Sequence, residues 1–188
     1  IVITSTINHF TYVIVNKRKD DKLQIFSPDF ETHSIAEKIN KLRAKKGTEL
    51  PVSIVKFLNY KKGMNLILSS DVPPRSGLGS SSSLAVNLIN MISFLKGSKI
   101  SKSEMAELSH NVARNILKWP LGKQDEYIAS FGGFKKIEFK KDKGKVSSIK
   151  TSQKTLRELE KNLLLFFVGS RTTSSILTNH INKIKSND

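Results

Sequence analysis

Between Asp71 and Leu95 the chain reads DVPPRSGLGSSSSLAVNLINMISFL, and few structures accommodate that order. The apolar run Asn65 to Leu68 ends at the turn-forming pair Pro73 and Pro74, and Gly77-Leu78-Gly79 and the serines Ser80 to Ser83 follow. Beyond them Leu84, Leu88, Met91, Ile92 and Leu95 recur every three or four residues, the period of a helix with one buried face. The serines therefore stand at a helix N-terminus, where unpaired N–H groups and the helix dipole stabilise an anion. Gly77 and Gly79 let the backbone turn tightly and approach a ligand, and the short hydroxyls can bond phosphate oxygens or a metal. The stretch reads as a phosphate cradle, or else as a glycine turn with Ser80 as an ordinary N-cap. It is not a Walker loop, because no lysine follows the glycines. Nor is it a dinucleotide fingerprint, because Ser82 stands where the third glycine belongs.

The flanking segments alternate between strand and helix signals. Ile1–Ile3, Tyr12–Val15 and Leu23–Phe26 are short β-rich runs, and Asn65–Ser69 is the strand that feeds the cradle. From Ser34 to Lys46, Ile35, Ile39 and Leu42 fall on one helix face, and a shorter helical run restarts at Pro51 through Ile54, Val55 and Leu58. Ser101 and Glu104 have capping-box spacing, and the helix they open runs through Met105, Leu108 and Val112 until Pro120 stops it. Lys136–Phe139 and Val146–Ile149 read as strands joined at Asp142-Lys143-Gly144, Leu163–Val168 as an apolar strand, and Thr172–Ile184 as a helix. Without a strict βαβ rhythm the class is α+β.

Composition narrows the function. In 188 residues there is no cysteine, so disulfides and thiolate metal sites are excluded, and a reducing cytoplasm suits the chain. No apolar run approaches the roughly 18 residues of a membrane span. The net charge of +16 attracts polyanions. Its lysines are scattered and Trp119 is the only tryptophan, so nucleic acid is disfavoured against a solvated lysine surface that also draws phosphorylated small molecules. His9, His33, His110 and His180 show no metal-ligand spacing.

PPRSGLGSSSSLA resembles the second motif of the GHMP small-molecule kinases, Pro-x3-Gly-Leu-Gly-Ser-Ser. STINHFTYVIVNKR near the start, GKQDEYIASFGGF at Gly122 to Phe134 and LLLFFVGSRTTSSIL at Leu163 to Leu177 extend the resemblance in order, closest to sugar-1-kinases of the heptose 7-phosphate type. It implies a GHMP N-terminal domain over 1–150, with a ribosomal-protein-like β/α fold, and the start of a C-terminal domain over 151–188. The family's first and third motifs would lie beyond the two ends of this sequence.

The resemblance also implies site residues. ATP would be held by Pro74, Ser76, Gly77, Leu78, Gly79, Ser80, Ser81 and Ser82, with Ser81 touching Mg2+ or the triphosphate. Phosphoryl transfer requires charge stabilisation and a group near the attacking hydroxyl. Asp125, in a polar Gly-Lys-Gln-Asp turn, matches the family's catalytic base, although an aspartate so placed also suits an N-cap. Lys123, Gln124, Gly132, Gly133 and Arg171 would contact the substrate. Lys123 can equally face solvent, and Gly132-Gly133 can equally serve a tight turn. One departure stands out: the family carries a metal-binding glutamate about a dozen residues before the aspartate, where this chain has Ala113 and Arg114.

The expected function is ATP-dependent phosphorylation of the anomeric hydroxyl of a sugar phosphate, D-glycero-D-manno-heptose 7-phosphate first. A kinase for another sugar such as fucose, or a non-catalytic nucleotide- or RNA-binding domain of the same fold, is the alternative. The partners are ATP and a phosphorylated sugar, without membrane, and a homodimer is allowed.

Overall fold

The computed structural model describes residues 1–140 and 143–169. Its main layer is a four-stranded sheet of β2 (Thr11–Lys17), β3 (Leu23–Ser27), β4 (Thr32–Ala36) and β5 (Met64–Ser70), ordered β2-β5-β3-β4. β5 is antiparallel to β2 and parallel to β3, and β4 forms an antiparallel hairpin with β3. Alternation places Leu23, Ile25, Met64, Leu66 and Leu68 on one face. They meet Ile54 and Val55 of α1 (Glu49–Phe57) and Leu88, Ile89 and Ile92 of α2 (Ser80–Leu95) in one core.

A second layer stands on α3 (Lys102–Asn111) and α4 (Gln124–Phe131), which pack together and against α2. An antiparallel sheet, ordered β1-β6-β7, joins β1 (Val2–Ser5), β6 (Phe134–Lys140) and β7 (Lys143–Ser148). Its small core is Ala106, Tyr127 and Ile137 with Phe131 and Phe139 around them. The mixed arrangement is the α+β class expected from the sequence.

α3 opens with the full capping box: the Ser101 hydroxyl accepts from the Glu104 N–H at 3.2 Å, and the Glu104 carboxylate accepts from the Ser101 N–H at 2.8 Å. α1 begins two residues before Pro51, which sits in the first turn, where its missing N–H would have had no partner.

Three expectations are corrected. Ser34–Lys46 is not a helix: Thr32–Ala36 pairs with β3 as β4, and only a short 3-10 turn forms at Ile39–Lys41. The helical spacing of Ile35, Ile39 and Leu42 is coincidental. Ile35 points outward, while Ser34 is buried and bonds the Thr48 hydroxyl at 2.7 Å, so the open edge of β3 outweighs weak helix propensity. The helix from Ser101 does not reach Pro120 as an α-helix. It passes at Val112–Ile116 into a π turn, with the Leu117 N–H bonding the Val112 carbonyl at 2.9 Å. Leu163–Val168 forms no strand and is exposed, Val168 by 96%.

A further helix, α5 (Gln153–Lys161), opens on Ser152, whose hydroxyl accepts from the Thr155 N–H at 3.0 Å. The expected helix Thr172–Ile184 lies outside the described residues. No described helix is long and apolar enough to cross a membrane.

Replacing Ser101 by Ala removes one half of the capping box, so stability should fall by about 1 kcal/mol. Urea unfolding should show the midpoint moving at constant slope.

Candidate active site

The cradle is fastened at its entrance. Just after β5, the Asp71 N–H bonds the Phe10 carbonyl at 2.9 Å, and its carboxylate accepts from the Phe10 N–H at 2.8 Å and the Tyr12 hydroxyl at 3.1 Å. At the far side the Ser83 and Thr11 hydroxyls lie 3.1 Å apart, and the Asn87 amide donates to the Thr11 carbonyl. Between these anchors the backbone turns through left-handed conformations at Arg75, Gly77 and Gly79, with φ of 64°, 81° and 70°. Such angles favour glycine at the latter two positions.

Gly79, not Ser80, is the N-cap of α2, and no side chain caps this end. The first intrahelical bond runs from the Ser83 N–H to the Gly79 carbonyl at 2.9 Å. The N–H groups of Ser80, Ser81 and Ser82 thus precede the helical ladder and suit an anion. Pro74 is half-buried and Gly77 and Leu78 are exposed on the same loop, while the Ser76 hydroxyl is buried without a hydrogen-bond partner.

The tertiary fold brings Asp125 to this loop. A β-carbon built on Gly79 would stand 3.4 Å from the Asp125 carboxyl carbon. Glycine at this position therefore serves both the backbone turn and the close approach of the acid. Asp125 lies within the first turn of α4, whose N-cap is Lys123, so it is neither in the expected open turn nor the helix cap. Its negative charge suits the positive end of the α4 dipole.

Lys123 is held rather than left in solvent. Its ammonium donates to Glu107 of α3 at 2.8 Å, and the other Glu107 oxygen accepts from the Tyr127 hydroxyl at 2.6 Å. The Tyr127 oxygen in turn accepts from the Gly144 N–H at 3.0 Å, and its ring packs where any β-carbon on Gly144 would collide. Burial pushes the Glu107 pKa up, but the bonds from Lys123 and Tyr127 outweigh it and leave the carboxyl below its ordinary value. Next to it, burial and the nearby Lys123 charge lower the pKa of His110.

Glu126 was missed in the sequence. It is 1% exposed, and neither carboxyl oxygen makes a hydrogen bond of standard geometry. Ser81, Ser82, Ala85, Ser109 and Ala113 line the cavity beside it, which is too small to admit a water. Burial pushes its pKa up to about 7. The Asp125 and Glu107 charges add to the shift, against partial relief from its own N–H and the Ser82 hydroxyl. An acid beside Asp125 in a polar segment gave no signal of this, because only the packing of α4 on α2 buries it.

Other expected residues are more dispersed. Gln124 is the exposed first residue of α4. Gly132 and Gly133 follow the opposite end of that helix, roughly 10 Å along its axis from Asp125. There the Gly133 N–H donates to the Thr6 hydroxyl at 3.0 Å, tying the turn to the segment after β1. Arg114 is exposed and reaches the Trp119 carbonyl, so it does not crowd the serines. Arg171 lies outside the described residues. Among the described residues no three His, Asp or Glu side chains form a ready metal cage.

Residues 38–133, from the 3-10 turn through the cradle, Asp125 and Gly133, match the model of the GHMP kinases N terminal domain. The chain belongs to the GHMP kinase family. Over 95% of its length this GHMP chain is 30% identical to a D-glycero-alpha-D-manno-heptose 7-phosphate kinase of Campylobacter jejuni, of which it covers 55%. It superposes with a TM-score of 0.74 and 31% identity on a Campylobacter jejuni protein reported provisionally as a sugar kinase, over 83% of this chain and 52% of that one. A D-glycero-D-manno-heptose 1-phosphate kinase from Bacteroides thetaiotaomicron shares the fold, with a TM-score of 0.78 and 24% identity over 85% of this chain and 54% of that one. The GHMP chain thus spans about half the length of these relatives.

The buried Glu126 makes stability depend on pH. Its pKa is about 7 when folded against an ordinary 4.5, so between those values the folded state holds more protons than the unfolded one. Stability should fall as pH rises through that window, and Glu126→Gln should remove this part of the slope. Urea unfolding of both proteins at about pH 5 and about pH 8 checks it.

Proposed function

We propose that this chain is the nucleotide- and substrate-holding part of an ATP-dependent sugar kinase. The observation that carries the reading is the Asp125 carboxyl lying against Gly79 at the open N-terminus of α2. Phosphoryl transfer needs little covalent chemistry from a protein but demands that the attacking oxygen and the γ-phosphoryl group be held in line. The N–H groups of Ser80, Ser81 and Ser82 bind the triphosphate, and Gly77 and Gly79 let the backbone close on it. Asp125 accepts a hydrogen bond from the sugar hydroxyl and takes its proton as the oxygen–phosphorus bond forms and ADP leaves. Glu107 keeps Lys123 beside Asp125, where its ammonium suits a sugar phosphate.

The buried Glu126 carboxyl, in a cavity closed to water and lined mainly by apolar side chains, does not reach a cation at the cradle. The exposed Ser81 hydroxyl at the start of α2 fits a divalent cation held with the triphosphate. Mg2+ bound there would neutralise charge on the β- and γ-phosphates. A sugar phosphate with a free anomeric hydroxyl, heptose 7-phosphate first, is the proposed acceptor. The family and the names of its heptose kinase relatives support it. An ATP-consuming reaction of this kind belongs in the cytoplasm.

The test is Mg-ATP turnover by the full-length protein across a panel of sugar phosphates that includes heptose 7-phosphate. Asp125→Asn should lose about a hundredfold or more in turnover while still binding nucleotide. Unchanged turnover in that variant would remove Asp125 from the chemistry. No turnover with any sugar, together with salt-sensitive RNA binding, would replace the kinase reading with the basic-surface alternative.

A further inference from the structure

α1 and α2 cover one face of the main sheet, where Ile25, Leu66 and Leu68 are buried, and among the described residues the opposite face is left open. On that open face the registers set Ile14, Ile67, Phe26 and His33 side by side in one row across all four strands. Tyr12 and Ile35 share the face beside the row. Ile14 is 58% exposed, Ile35 50%, Tyr12 44% and Ile67 40%, so the apolar groups form a surface rather than a second core. A sheet face open to water ordinarily carries polar and charged side chains. Here 26% of the chain is charged, yet none of the outward positions of these strands is Asp, Glu, Lys or Arg. Charge is confined to the rim. At one end Arg18 reaches the Asn65 amide oxygen, with its guanidinium paired to Asp20 at 2.6 Å, and at the other the Tyr12 hydroxyl donates to Asp71.

The net charge of +16 bears on what covers this face. A polyanion or an acidic protein is drawn to the lysines, which the face lacks. Two copies of the chain have the opposite need: any lysine-bearing surface would set like charges against each other, and a charge-free face does not. We propose that the outer face of the β2-β5-β3-β4 sheet docks a second copy of this chain across a two-fold axis. A two-fold contact requires a self-complementary surface, and an apolar row crossing the sheet meets its own copy at the usual sheet separation of about 10 Å. From the strand spacing and length the face measures roughly 15 by 20 Å, well short of the roughly 800 Å² per partner of a standard interface. The dimer therefore exchanges with monomer and responds to concentration. None of these residues belongs to the cradle or to α4, so the dimer and the kinase reading stand or fall separately.

Sedimentation velocity on the full-length protein, over about a hundredfold range of concentration, reads the balance of monomer and dimer. Wild type should pass from monomer to dimer mass, and at lower concentration when salt screens the net charge. Ile67→Lys, in the middle of the row, sets like charges across the axis and should weaken dimerisation by about tenfold or more. Ile67→Glu should do the same. Mixing the two variants should restore a dimer with one copy of each, which a misfolded variant would not do. If wild type stays monomeric throughout, the face serves something else and the inference falls. It falls equally if Ile67→Lys dimerises as wild type does, or if the mixed variants stay monomeric.

Discussion

The meeting of two helix N-termini, those of α2 and α4, is the constraint on which the rest of the site depends. Each end carries partial positive charge and unsatisfied N–H groups, so bringing them together is unfavourable unless negative charge lies between them. Asp125, in the first turn of α4, provides that charge from within the protein, while burial disfavours the ionised form of its neighbour Glu126. Gly79 lets the ends come close, because it has no side chain at the point where the Asp125 carboxyl arrives. In the proposed reading a triphosphate at the open end of α2 would add to the charge that Asp125 supplies.

This juncture is braced from the second layer. Glu107 of α3 holds Lys123 and Tyr127 through separate oxygens, and Tyr127 in turn holds the backbone of β7 at Gly144. One carboxylate therefore links α3, the start of α4 and the β6–β7 hairpin. The capping box at Ser101 secures the other end of α3, and the π turn after Asn111 brings Ala113 to the cavity under the serines. These connections run through half-buried side chains, where hydrogen bonds to charged groups are stronger than at the open surface.

The charge distribution has the same logic. The chain carries 32 Lys and Arg against 16 Asp and Glu, yet acids gather where the phosphates are proposed to bind. A basic surface raises the local concentration of phosphorylated ligands, while in the proposed site N–H groups would position them and a carboxylate would face the reacting hydroxyl. Long-range attraction and short-range chemistry are thus assigned to different residues.

Much of this was legible without coordinates. The chain by itself determined α2, β5, the capping box of α3 and the glycine-serine loop, because each is set by neighbours within one or two turns: periodicity, a capping pair, and glycines at left-handed angles. The loop motif and GKQDEY also carried the family and pointed to Asp125. Only the tertiary structure decided that Thr32–Ala36 is a strand, since the open edge of β3 is a distant partner that local spacing cannot register. It alone exposed Leu163–Val168 among the described residues and carried the chain after α3 into a π turn. It also decided that Asp125 meets Gly79 and that Glu126 is buried, because both follow from α4 packing on α2, and burial is a property of the assembled layers rather than of any segment.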